Sequence, residues 1–367
     1  MRLVEMLVER GAEKVVSFDI VPPEKVSGVW AHPSIKYFCV GDITNYSDIL
    51  NAVAGADCVW HLAAAVGPFH PRELYYKVNY EGTRNVVRAC FQAGVKKIVM
   101  SSSPSTRFEG SLFCRPCVDG LTENELPKLP LASYMQIYAE TKAAAEMVIT
   151  DACCDDLLTV SVAPHQVYGP RDNLFLPNML EAAGTGKLHV FGRGDNRICF
   201  THVDNYAHAL VIAERRLFKG SPVLGKFYIV TDGRTHPEPD AYCIFWRELD
   251  KAVVAMGFPS ILQKVHFNFW LLYVVALAAE AVGWMLGRVF KLNVFNVFVL
   301  TMHRWFRITA AEVDLGYVPI IPSRDGWDDT ISWFRENWLP TFERQDRSWM
   351  GLSRRSQQKI DIQARKS

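Results

Sequence analysis

The chain has no excess of charge of either sign. Its 40 Lys and Arg stand against 39 Asp and Glu, a net charge of +1 over 367 residues. It has no long basic run, which excludes nucleic acid as the main partner, because phosphate backbones are gripped by clustered cations. It has no internal repeat. Its nine cysteines are an odd number, and no secretory leader is visible, so reduced thiols facing cytosol are expected. Cys114-Arg115-Pro116-Cys117 spells C-x-x-C, yet no second pair stands at zinc-site spacing, since Cys153 and Cys154 are adjacent. That motif reads as a loop coincidence, and no metal site is expected. Hydrophobic residues at 49% and aromatics at 12% are ample for one or two domains with a large core, and they hint at greasy surface.

What is present centres on Tyr138 and Lys142. The segment after Tyr138, Ala139-Glu140-Thr141-Lys142-Ala143-Ala144-Ala145-Glu146, is rich in helix formers. Residues four apart share a helix face, so a phenol and an ammonium are expected at one site. A nearby cation favours a phenolate, which is expected to bring Tyr138 down toward neutrality as a general base or acid. Surface helices often carry this pair, and the residues upstream give it meaning. Val95 to Met100 reads as a short apolar strand, and Ser101-Ser102-Ser103 follow at its end. Side chains at the C-terminal ends of parallel strands face the ligand crevice.

Short strands alternate with helical stretches up to about residue 170, which predicts an α/β, Rossmann-like, doubly wound parallel sheet. Residues 1–10 have helical period, with Gly11 as the stop. Strands are expected at Val15 to Asp19, Ile35 to Val40, Cys58 to Leu62, Val95 to Met100 and Leu158 to Ala163. Helices are expected at Tyr46 to Val53, Glu73 to Gln92 and Tyr138 to Cys153. His61 reads as packed within its strand, Arg107 to Pro130 as a loop, and Ser101 and Ser102 as strand-end and capping residues. Asp19 ends a strand where an acid accepts a hydrogen bond from an adenosine ribose and repels an extra phosphate, favouring NAD over NADP. Arg193 and Arg197 read either as solvated loop arginines or as contacts for an anionic substrate.

A strand-end serine followed by Tyr-x-x-x-Lys on a later helix resembles the short-chain dehydrogenases, and the chain is identified as a member of their extended branch. Val78-Asn79-Tyr80-Glu81-Gly82-Thr83, Phe108-Glu109-Gly110, Tyr138 to Lys142, and Pro164-His165 with Tyr168-Gly169-Pro170-Arg171-Asp172 are most similar to the sterol-4α-carboxylate 3-dehydrogenases (decarboxylating), then to the 3β-hydroxysteroid dehydrogenases. The resemblance implies that Ser103 orients the substrate oxygen and Tyr138 moves the proton. It implies that Lys142 lowers Tyr138 and holds the nicotinamide ribose, and that Asn79 completes the catalytic set. It places Asp42 near the adenine and lays cofactor against the small run Ala63-Ala64-Ala65. It sets backbone around Pro164 and Val167 against the carboxamide. The implied reaction is oxidation at carbon 3 of a sterol or steroid by NAD; a neighbouring carboxylate then leaves as carbon dioxide from the β-keto acid, without a metal.

The chain departs from this family at its start. A strand and a G-x-x-G-x-x-G turn are expected before the first helix, to hold the pyrophosphate at a helix N-terminus. Met1 begins inside that helix, so an upstream segment is expected. Three regions follow: a cofactor-binding domain at 1–171, a substrate lobe at 172–343, and a charged polar tail at 344–367. Within the lobe, the apolar run at 267–290 is expected to associate with membrane, as a monotopic or re-entrant element, a single span or a core helix. Glu280 counts against a clean span. Trp270 and Trp284 suit an interface, with Lys291 and Arg304 toward headgroups. The expected setting is the endoplasmic reticulum membrane, or lipid droplets, with the catalytic body facing cytosol; a homodimer is left open. Two other readings stand beside this one: a nucleotide-sugar epimerase or dehydratase of the same class, and a non-catalytic membrane-associated homologue without the glycine turn.

Overall fold

The computed structural model describes residues 1–20, 37–67, 70–110, 118–238, 240–286, 290 and 292–344. Cys114, Cys117 and Lys291 lie outside them, as do the expected upstream turn and all but the start of the tail. The strands in chain order are β1 (Val16–Asp19), β2 (Tyr37–Val40), β3 (Cys58–His61), β4 (Lys97–Ser101), β5 (Val118–Leu121), β6 (Leu158–Pro164), β7 (Val167–Tyr168), β8 (Arg197–Ile198), β9 (Thr201–His202), β10 (Phe227–Val230), β11 (Cys243–Ile244) and β12 (Arg304–Phe306). The helices are α1 (Arg2–Glu9), α2 (Tyr46–Val53), α3 (Arg72–Tyr75), α4 (Gly82–Ala93), α5 (Ile137–Asp151), α6 (Leu176–Gly184), α7 (Val203–Arg215), α8 (Phe245–Ala255), α9 (Phe269–Leu286), α10 (Val294–Val299), α11 (Ser323–Trp333) and α12 (Leu339–Arg344).

The fold is Rossmann-like. β10, β6, β4 and β3 form a parallel sheet in that order, and β1 pairs in parallel with β2. β6 is buried from Leu158 to Ala163, because α5 packs on it from one side and α7 from the other. Where one continuous sheet is expected, the strands form two hydrogen-bonded blocks. β1 and β3 do not pair, because none of the described residues supplies a strand between them. The last strand, β10, comes from beyond residue 171. α1 is amphipathic and lays Leu3, Met6 and Leu7 against Ala207 and Val211 of α7.

Two local expectations are corrected. The segment 107–130 is not a plain loop. It contributes β5, which pairs with β12 in a second sheet of order β11–β8–β12–β5. Val-Asp-Gly-Leu has too little pattern to read as a strand; its partner lies far along the chain. The helix expected from Glu73 to Gln92 is interrupted by a π-helical segment, Tyr76–Glu81, which carries Asn79. Buried Asp232 accepts hydrogen bonds from Tyr168 Oη at 2.9 Å, His202 N at 2.7 Å and Asn205 Nδ2 at 2.8 Å. Those bonds lock the β7–β9 pair to the end of β10.

The apolar run forms α9, long and apolar enough to cross a membrane, with 17% of its residues buried. Only the stripe Leu272, Ala276 and Gly283 is buried, and Leu272 and Ala276 pack against Val294, Val297 and Phe298 of α10. α10 runs back along α9. Glu280 accepts a hydrogen bond from Val294 N at 2.9 Å at one end, and Phe269 stacks on Phe298 at 6.1 Å at the other. The acid that counted against a span is therefore engaged at the head of α10.

Candidate active site

The strand-end serines each meet a different partner. Ser101 ends β4; its carbonyl accepts a hydrogen bond from Lys142 Nζ at 2.6 Å, and its hydroxyl accepts one from Tyr206 Oη at 2.6 Å. Ser102 Oγ donates to Glu146 Oε2 at 2.7 Å. Ser103 caps the 3-10 turn Pro104–Arg107 by accepting from Ser105 N, and its hydroxyl is hydrogen-bonded to Ser105 Oγ at 2.8 Å. Ser101 ends the strand as expected, and the capping role falls to Ser103. Tyr138, Lys142 and Glu146 repeat at four-residue spacing on α5 and share its inward face.

The electrostatics differ from the sequence expectation. Burial, with a smaller contribution from Tyr75, pushes the Tyr138 phenol up to about 12, and the hydrogen bond with Ser103 pulls it partly back. The Lys142 ammonium is turned to the Ser101 carbonyl, to which it donates at 2.6 Å. Burial brings Lys142 itself down to about 8, opposed by Glu146. Glu146 also forms a nearly buried ion pair with Arg107. Sequence reasoning missed Glu146 as an organiser of this site. Its four-residue spacing from Lys142 was the unread signal for it.

Asn79 sits beside these groups without facing them. Its Oδ1 accepts from Ala65 N at 2.7 Å, and its Nδ2 donates to Ala65 O at 3.2 Å and Thr141 Oγ1 at 3.1 Å. It clamps the turn after β3 to α5, which makes it a positioning residue. Asn79→Ala strands two backbone groups and is expected to cost about 2–4 kcal/mol of stability. Urea unfolding measures this; an unchanged midpoint would contradict the clamp.

The expected cofactor residues lie where strands end. Asp19 is exposed at the end of β1, and Ala63 and Ala64 follow β3, with Ala65 buried. Asp42 Oδ1 accepts from Thr44 N at 2.8 Å, while Asn45 caps α2. Pro164 ends β6, and Val167 pairs with Thr201 in β7–β9. Between them Gln166 holds a φ of 42°, a left-handed turn that is strained for a residue with a side chain. His61 is buried and bonds Thr83 Oγ1 at 2.8 Å. Arg193 pairs with Asp195 at 2.7 Å and Arg197 with Asp119 at 3.2 Å. Arg304, expected at headgroups, is instead buried in β12. A groove of about 760 Å³, lined by Phe191, Asn196, His266, Trp270 and Tyr273 among others, opens at the root of α9. Met135, just before α5, packs on the α9–α10 cluster.

A parallel sheet with Ser, Tyr and Lys gathered at one strand end defines an extended short-chain dehydrogenase. A solved structure, MoeE5 in complex with UDP-glucose and NAD, shares the fold at a TM-score of 0.65 and 20% identity, over 92% of this chain and 95% of that one. The family model described as the 3-beta hydroxysteroid dehydrogenase/isomerase family matches residues 1–255, and the chain belongs to that family. It is therefore an oxidoreductase acting on CH–OH groups. It is 32% identical to an Arabidopsis thaliana protein named 3beta-hydroxysteroid-dehydrogenase/decarboxylase isoform 1, over 90% of this chain and 76% of that protein. It is 30% identical to a Homo sapiens protein named sterol-4-alpha-carboxylate 3-dehydrogenase, decarboxylating, over 91% of this chain and 84% of that protein.

Proposed function

We propose that this protein oxidises the 3β-hydroxyl of a sterol with NAD, and that a 4α-carboxylate on the neighbouring carbon is then lost as carbon dioxide. The observation that carries the reading is the convergence at the end of β4 of the turn capped by Ser103 and the α5 face bearing Tyr138 and Lys142, whose Nζ donates to the Ser101 carbonyl at 2.6 Å. The ends of β1, β3 and β4 suit a dinucleotide, since the acidic Asp19, the small Ala63–Ala65 run and the serines stand at the carboxyl ends of parallel strands, where α/β sheets take their ligands. NAD, when bound, supplies the hydride acceptor.

Ser103 holds the substrate oxygen, and Tyr138 takes its proton. A phenol pushed up to about 12 is a poor base at neutral pH, so a cation must come close to it. Lys142 is the chain's own source of that charge, turning from the Ser101 carbonyl. Oxidation beside a carboxylate yields a β-keto acid. Its carbon–carbon electrons move onto the new ketone as carbon dioxide departs, and Ser103 steadies the resulting enolate oxygen.

The exposed face of α9 supports a membrane-dissolved substrate. Because α10 returns along α9 to the buried strand β12, we read the pair as a hairpin entering one leaflet, with the catalytic body on the cytosolic side of the endoplasmic reticulum. Incubation in detergent with NAD and either a 4α-carboxysterol or UDP-glucose tests the reading. Formation of the 3-ketone from the sterol alone supports it; turnover of the nucleotide sugar alone contradicts it.

A further inference from the structure

The groove at the root of α9 is lined by none of Ser103, Tyr138 and Lys142. Its volume of about 760 Å³ is in the range of small-molecule sites. One wall is the turn Gly192-Arg193-Gly194-Asp195, whose glycines hold left-handed backbone at φ of 70° and 76°. That turn is tied to the approach of α9. Phe267 N donates to Val190 O at 2.9 Å, and Gly192 N donates to Phe267 O at 2.9 Å. The other wall is aromatic. Phe269, Tyr273 and Phe298 lie within 20° of parallel, with ring centroids 5.7–6.1 Å apart. Trp270 stands across Phe269 and Tyr273, at 74° and 89°.

Asn196 follows the turn and lines the groove. It is 2% exposed, yet neither its Oδ1 nor its Nδ2 has a hydrogen-bond partner among the described residues. A buried amide left in this way is costly, and it calls for both a donor and an acceptor. The rim carries one charge of each sign. Arg193 and Asp195 pair at 2.7 Å, but both are exposed, and such pairs are weak enough to trade partners. Trp270 is largely exposed and begins the outward apolar face of α9, which continues at Leu271 and Val274. We propose that this groove seats the headgroup of a phosphatidylethanolamine-class lipid, with its acyl chains along that outer face. Asn196 Nδ2 and Arg193 meet the phosphate. Asn196 Oδ1, Asp195 and the aromatic wall meet the primary ammonium. A choline headgroup has no N–H for Oδ1, an anionic glycerol headgroup brings no cation, and a sterol hydroxyl answers neither rim charge. The proposal rests on the reading of α9 as a membrane element and adds the lipid that it holds.

Native mass spectrometry from maltoside micelles tests this. The micelles hold equal amounts of phosphatidylethanolamine, phosphatidylcholine and phosphatidylglycerol, all with dioleoyl chains. One phosphatidylethanolamine is expected per chain, favoured over each of the others on the order of 10-fold. Trp270→Ala and Asn196→Leu are expected to lose that preference and to keep the thermal midpoint, since the indole is largely exposed and the amide has no partner to lose. Equal retention of the three lipids, or a preference unchanged in both variants, would overturn the proposal. Displacement of the lipid by a 4α-carboxysterol added with NAD would also overturn it, because the groove would then belong to the substrate. Glycerophosphoethanolamine, which has no acyl chains, is expected to leave the lipid in place; displacement by it would assign the groove to a soluble ligand instead. A preference for phosphatidylethanolamine in a protein that does not sediment with vesicles would keep the groove and sink the leaflet reading.

Discussion

Tyr138→Phe is expected to reduce sterol oxidation by on the order of 10²- to 10⁴-fold, the usual share of a positioned proton-transfer group. NAD is expected to bind it nearly as before. Only the hydroxyl is lost, and the ring keeps its edge-on contact with Tyr75 at 6.4 Å. Ser103 keeps its bond to Ser105 Oγ at 2.8 Å, so the serine turn holds its shape. Initial rates and NAD titration on the same preparation separate the two effects. Activity close to the parent's would remove Tyr138 from the reaction. Weakened NAD binding with it would recast the residue as part of the cofactor site.

Glutamates on the outer face of α9 are expected to move the protein from the membrane pellet to the supernatant. Leu271, Val274 and Trp284 are exposed at 57%, 62% and 86%, so they contribute little to folding. Each acid placed in hydrocarbon costs about 2.5–3.5 kcal/mol, and the triple substitution exceeds what a shallow hairpin gains. Deleting the whole run is a poorer test, because it also removes Phe269 from Phe298 and the Glu280 bond to Val294. The triple variant is expected to keep its thermal midpoint while losing sedimentation with vesicles. Continued sedimentation would place the membrane contact elsewhere, and a parent protein soluble without detergent would return α9 to an ordinary packed helix.

Local pattern made much of the fold legible. The β1, β3, β4 and β6 strands and α5 follow from short apolar runs broken by helix formers, and the serine run with Tyr138 and Lys142 follows from their order. What stayed hidden depends on partners far along the chain. Tyr206 reaches Ser101 across 105 residues, and β5 becomes a strand only because β12 lies beside it. Asn79 reads as a catalytic residue by resemblance, but its three hydrogen bonds show a clamp. Four-residue spacing puts Lys142 on the same face as Tyr138 but does not aim its ammonium, which bonds the Ser101 carbonyl. Arg304 was assigned to a headgroup contact from its place near the greasy run, whereas it opens the buried strand β12.

The central claim is hydride transfer from carbon 3 to NAD followed by loss of the neighbouring carboxyl. It is tested most directly with a sterol deuterated at the 3α position and carrying a labelled 4α-carboxyl. The account predicts deuterium in the reduced cofactor and one labelled carbon dioxide for each 3-ketone formed. Carbon dioxide without deuterated cofactor, or reduced cofactor only from a nucleotide sugar, would contradict it.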